Sequence, residues 1–127
     1  MIPLRHQSFW IAMSAVLVAA IVYASLTPDL SLPVPGNLDK VEHFATYCGL
    51  AVWFTGLYPR SRYWMVVTGL LVLGLGLEVA QGVMQLGRSA ESLDMAANAA
   101  GVGVGLLLAL SLTGNWARRV ELWLKPR

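Results

Sequence analysis

The chain has 127 residues, of which 57% are hydrophobic and 13% charged, with a mean hydropathy of +0.61. Soluble domains carry roughly 25% charged and 45–50% apolar residues, and a fold this small cannot bury so much apolar surface in water. Composition therefore excludes a water-soluble domain and indicates a single integral membrane domain over residues 1–127. The net charge of +2 points to no nucleic-acid partner, because the basic residues lie in short flanks between apolar runs and not along one face.

The first apolar run, from about Phe9 to Leu26 (9–26), contains no charge. Val22-Tyr23-Ala24 before Ser25 resembles a signal-peptidase site with Arg5 as its basic flank, but the run is long for a signal core and reads as a span. Pro28, Pro33, Pro35 and Gly36 then forbid a regular helix. A second run, about Leu38 to Tyr58 (38–58), gathers its charges at its start and leads into the tight basic turn Tyr58-Pro59-Arg60-Ser61-Arg62. The third, Tyr63 to Leu86 (63–86), holds a single charge, Glu78. After a polar loop in which Ser92 can cap the next helix, the fourth runs from Leu93 to Leu112 (93–112). Each is near the roughly 20 residues that cross about 30 Å of hydrocarbon at about 1.5 Å per residue. Tyr58, Tyr63 and Trp64 at one boundary, and Trp116 and Trp123 at another, fit interfacial aromatic belts. Cys48 has no second cysteine to pair with and reads as a small packing residue.

Positive charge orients these spans. Arg5, Arg60, Arg62, Arg118, Arg119, Lys125 and Arg127 fall on one side of a four-span arrangement, and Lys40 and Arg88 on the other, so seven of the nine basic residues share a face. The positive-inside rule makes that face cytoplasmic. The expected architecture is all-α, a four-helix transmembrane bundle with both termini inside. Of the seven acids only Glu121 then lies on the inner side.

Ionisable residues within a span are expensive and default to function. Asp39, His43 and Tyr47 step by four along the second span, with Lys40 alongside. Gly74, Glu78, Gln81 and Gln85 step by four, three and four in the third, and Asp94, Asn98, Gly101 and Gly105 repeat that rhythm in the fourth. Such spacings place each set on one helical face. Tyr47 lies eight residues from Asp39, and Glu78 eight residues before Leu86, so both sit about 12 Å from the outer end. Polar side chains can simply bond helix to helix, and Gln81, Gln85 and Asn98 individually fit that role. Gly69, Gly74, Gly76, Gly101, Gly103 and Gly105 read as points of close helix packing. Asp39, His43, Glu78, Arg88 and Asp94 together are too costly to be packing alone and suggest one converging pocket, with Arg88 expected to fold back toward Asp39, Glu78 or Asp94.

Asp39-Lys40-Val41-Glu42-His43-Phe44-Ala45-Thr46-Tyr47, then Glu78-Val79-Ala80-Gln81, then Arg88 leading to Asp94, Asn98 and Gly101, resemble the VanZ-like family. Its pattern is D-K-x-x-H-x-x-x-Y, E-x-x-Q and R-x-x-x-x-x-D-x-x-x-N-x-x-G, which covers about Leu38 to Gly105 here. The resemblance implies a small multi-pass protein of the bacterial inner membrane with a role in the cell envelope. The family's namesake is associated with resistance to teicoplanin-type glycopeptides.

Two functions from different classes follow. One is a binding module for an anionic lipid, a glycolipid head group or a lipid-linked envelope precursor, using Asp39, Lys40, His43, Tyr47, Glu78, Gln81, Arg88, Asp94 and Asn98. Lys40, Arg88 and protonated His43 would supply attraction, and the aspartates would orient them. The other is an intramembrane enzyme on a lipid-linked substrate, with Glu78 and His43 as acid and base. One histidine among carboxylates is an unspecific signal for a metal, so no metal or cofactor is assigned. A solute pathway is disfavoured by apolar Met65-Val66-Val67 and Leu106-Leu107-Leu108 on the inner side, although a homo-oligomer would ease the small helix count. The topology has a direct check: reporter fusions after Arg62 and Arg127 should score as cytoplasmic, and one between Pro33 and Gly36 as external.

Overall fold

The computed structural model describes residues 1–27, 36–84 and 92–124. Its elements are α1 (Gln7–Leu26), α2 (Gly36–Leu57), a 3₁₀ turn (Arg60–Arg62), α3 (Tyr63–Met84), α4 (Ser92–Leu108), a turn of π-helix (Ala109–Thr113) and α5 (Trp116–Trp123). The fold is all-α, with no strand among the described residues. Three segments are long and apolar enough to cross a membrane: Gln7–Leu26, Arg60–Met84 and Ser92–Thr113. α2 matches them in length, but Asp39, Lys40, Glu42 and His43 in its opening turns lower its apolar content.

Side-chain burial is inverted relative to a soluble protein. Phe9, Val16, Val72, Val79, Val83 and Leu107 are exposed, whereas Glu78, Gln81, Asp94, Asn98 and Thr55 are buried. A surface of this kind is matched to hydrocarbon, where apolar side chains face outward without penalty and polar ones turn inward.

Contacts between helix ends fix the relative directions. The Ile2 N–H donates to the Leu57 carbonyl at 2.8 Å, joining the start of α1 to the end of α2. The Gln81 amide donates to the Ser25 carbonyl at 2.8 Å, joining the ends of α3 and α1. Lys40 pairs with Asp94, so α2 and α4 begin side by side. Arg60 donates to the Leu110 carbonyl at 2.9 Å, bringing the α2–α3 turn to the end of α4. Successive helices therefore alternate in direction.

α2 packs most extensively against α4, along a seam made by two glycines. A Cβ on Gly101 would run into the Phe44 carbonyl oxygen. One on Gly105 would lie 2.5 Å from the Ala51 Cβ and 2.7 Å from the Cys48 oxygen. Backbone approaches backbone here, as small residues permit. Gly74 is also close, since a Cβ there would lie 3.1 Å from Asn98 Nδ2 and 3.2 Å from the Tyr47 hydroxyl. The packing expectation fails for Gly69, Gly76 and Gly103, where a Cβ would meet nothing within 4 Å. The reason is angular: Gly103 is two residues past Gly101, about 200° around the helix, and so faces away from α2.

At the opposite end α5 folds back on the bundle, an element whose Trp116 and Trp123 alone register in the sequence. Trp116 packs against Trp10 and Trp53 with ring centroids 5.4 and 5.2 Å apart. Its indole N–H donates to the Val52 carbonyl at 3.0 Å, and Gly56 leaves room for the ring. Glu121 accepts from the backbone N–H groups of Arg5 (2.6 Å) and His6 (2.9 Å) and from the Trp10 indole (2.9 Å). α1 has no side-chain cap of its own, so this carboxylate meets the amide groups just ahead of its first turn. Desolvation pushes the Glu121 carboxyl up, but the donors from His6, Trp10 and Arg5 outweigh it and hold the pKa below the ordinary carboxylate value.

Gly101→Leu should sharply reduce accumulation in the membrane by forcing α2 and α4 apart. Gly103→Leu, two residues away in open space, should accumulate as the parent does, and immunoblotting of membrane fractions distinguishes the two.

Candidate functional site

The N-terminal ends of α2 and α4 meet the C-terminal ends of α1 and α3, and there the polar residues converge. Asp39 and Lys40 occupy the first turns of α2, with His43 one turn on. Asp94 lies in the first turn of α4, and Asn98 follows one turn later. The glycine seam brings these two stretches together, because it sets α2 and α4 side by side in the same direction.

Lys40 is the local positive charge. Its ammonium pairs with Asp94 Oδ1 and lies 3.6 Å from Asp39 Oδ2. The His43 ring is held through one nitrogen and faces carboxylates with the other. Its Nδ1–H donates to Asn98 Oδ1 at 3.0 Å, and Nε2 faces Asp39 Oδ1 at 3.9 Å and Asp94 Oδ2 at 3.7 Å. Ligand atoms from Asp39, His43 and Asp94 all lie within 4.8 Å of one another. One imidazole and two carboxylates suit a borderline divalent cation, and Asn98 on the far imidazole nitrogen resembles an outer-sphere support for such a ligand. The Lys40 ammonium already places a cation against the same two carboxylates.

Beside this cluster is a cleft of about 100 Å³. Asp39, His43, Tyr47, Glu78, Gln81 and Asn98 line it, so three helices contribute the side chains expected of them. Glu78 is 4% exposed and Asn98 2%, which turns both inward and away from any surrounding lipid. Lys40 and Asp94 are joined to the group through Asp39 and His43. Arg88 and Gln85 lie outside the described residues.

Sequence reasoning overlooked two contributors. Glu42 and Thr46 also line the cleft. Their signal was present, because Asp39, Glu42, His43 and Thr46 stand at i, i+3, i+4 and i+7 on one face. The other is α1, whose Ile21, Ala24 and Ser25 close one side. Nothing in their residue types marks them, and Ser25 bonds Gln81 through its backbone carbonyl. On α4 the polar stripe divides by role: Asp94 and Asn98 serve the site, and Gly101 and Gly105 serve the seam.

Chemically the cleft is rich in acceptors. Carboxylates from Asp39, Glu42 and Glu78 and side-chain oxygens from Gln81 and Asn98 surround it. Such a lining suits donors, above all hydroxyl groups, while the Lys40 ammonium is engaged by Asp94 and Asp39. Replacing Lys40 by Met should destabilise the protein by about 3 kcal/mol, because it strips a buried carboxylate of its ammonium. Combining Lys40→Met with Asp94→Leu should recover most of that loss, measured by denaturation in detergent micelles.

No protein-family model, curated protein or solved structure matches this chain.

Proposed function

We propose that this chain is a four-pass protein of the bacterial inner membrane, related to the VanZ-like proteins, that binds the polar head group of a glycolipid or anionic lipid at the outer face. The observation that carries the reading is the cleft itself: acceptor side chains from three helices converge at one end of an otherwise apolar bundle. α2 runs beside α4 along the glycine seam, so if α4 crosses the bilayer α2 crosses with it, shielding its charged first turns within the bundle. With alternating helix directions, the charge pattern then puts the termini in the cytoplasm and the cleft outside.

A hydroxyl-rich head group fits the lining best. Asp39, Glu42, Glu78, Gln81 and Asn98 offer oxygens to sugar hydroxyls. This favours a glycolipid or lipid-linked envelope precursor over a simple anionic phospholipid. The enzymatic reading assigns His43 and Glu78 to acid–base chemistry. In that reading the Asn98 bond to Nδ1 orients the ring and Nε2, 3.7 Å from Asp94 and 3.9 Å from Asp39, is the working nitrogen.

Native mass spectrometry tests this with phosphatidylethanolamine, phosphatidylglycerol and a diglucosyl diacylglycerol of matched acyl chains. The glycolipid should be retained several-fold better than phosphatidylethanolamine, and Glu78→Gln should accumulate normally yet lose that preference. Retention that ignores the head group would overturn the binding reading. A change in the mass of the bound lipid during incubation would replace it with the enzymatic one.

A further inference from the structure

A second hollow, of about 380 Å³, opens among α1, α2 and α3, and its lining is mostly apolar. It is bounded by Val18 of α1, by Phe54 of α2 and Tyr58 just past its end, and by Val66, Gly69 and Leu73 of α3. Its position relative to the polar cleft is fixed by helical geometry. On α1, Val18 belongs to the hollow, and Ile21 and Ser25 to the cleft. On α3, Val66, Leu70 and Leu73 belong to the hollow, and Leu77 and Gln81 to the cleft. On α2, His43 and Tyr47 precede Phe54, with Tyr58 just past its end. On each of these helices the lining passes from one space to the other within seven residues.

The two spaces stand at successive levels along the same three helices, as a furrow polar at the end of the bundle and apolar toward its middle would. From Gln81 to Val66 it runs about 22 Å, well over half of the roughly 30 Å hydrocarbon thickness. We infer that the lower furrow seats a hydrocarbon chain of the same lipid whose head group occupies the cleft, an inference that rests on the head-group reading. The order of the two levels matches the order of head and tail in an outer-leaflet lipid. Gly69 keeps the furrow open, because it lines the hollow and a Cβ there would meet nothing within 4 Å.

Gly69→Phe fills the hollow, and Gly76→Phe is its control, since Gly76 is equally open on the same helix but lines neither space. After purification in mild detergent with added diglucosyl dioleoylglycerol, native mass spectrometry should find one lipid on the parent and on Gly76→Phe. Occupancy should fall at least five-fold in Gly69→Phe. Unchanged occupancy in Gly69→Phe would overturn the furrow, and failure of the head-group reading would appear separately as parent retention that ignores head-group chemistry. Photo-crosslinking of the unmodified protein in vesicles with a diazirine-tailed glycolipid does not depend on the folding of any variant. Labels concentrated on Val18 and Leu73 support the furrow, whereas labels spread equally over outward Val72 and Val79 overturn it.

Discussion

The close approach of α2 and α4 is the constraint on which the remaining architecture depends. Gly101 and Gly105 admit the backbone of Phe44 and Cys48 and the methyl group of Ala51 to contact distance. In a bilayer no hydrophobic driving force draws helices together, so side-chain volume and polar contacts decide which faces meet. The seam fixes the spacing and the parallel direction of the two helices. The Lys40–Asp94 pair and the His43–Asn98 bond then form above it. Cys48, unremarkable as a cysteine, matters here because its backbone lies beneath Gly101 and Gly105.

The two ends of the bundle use buried polarity in different ways. At the α5 end one carboxylate, Glu121, collects three N–H donors and ties the chain's beginning to its last helix. Three tryptophans pack around that point, and each indole N–H finds an acceptor: Glu121 for Trp10, Ser14 for Trp53 and Val52 for Trp116. The same end still buries the Tyr63 hydroxyl, Thr113 Oγ1 and Asn115 Oδ1 without hydrogen-bond partners among the described residues. At the other end acceptor side chains from three helices gather around a cleft.

α1 holds a distinct position between these ends. It is fastened near its start through Trp10 and Glu121, at one point through the Trp53–Ser14 bond, and near its finish through Gln81 and Ser25. Between them Leu17 and Ile21 touch the core and Val18 borders the apolar hollow. α1 is thus pinned at both ends, with the hollow beside its middle.

The sequence by itself determined the membrane class, the helix positions and most of the polar side chains of the site. These are properties of periodicity and composition, which act locally: Asp39, His43 and Tyr47 share a face whatever packs against them. It also marked Gly101 and Gly105, but could not separate them from Gly69, Gly76 and Gly103, because a glycine's role depends on which neighbour its bare face meets. Only the tertiary structure decided that α4's stripe divides between seam and site, and that Ser25 of α1 enters the site through its backbone. It alone brought Glu121 from the last helix to the first, across a separation of more than a hundred residues. Contacts of that kind leave no trace in local pattern, since they depend on how whole helices pack and not on the spacing within any one of them.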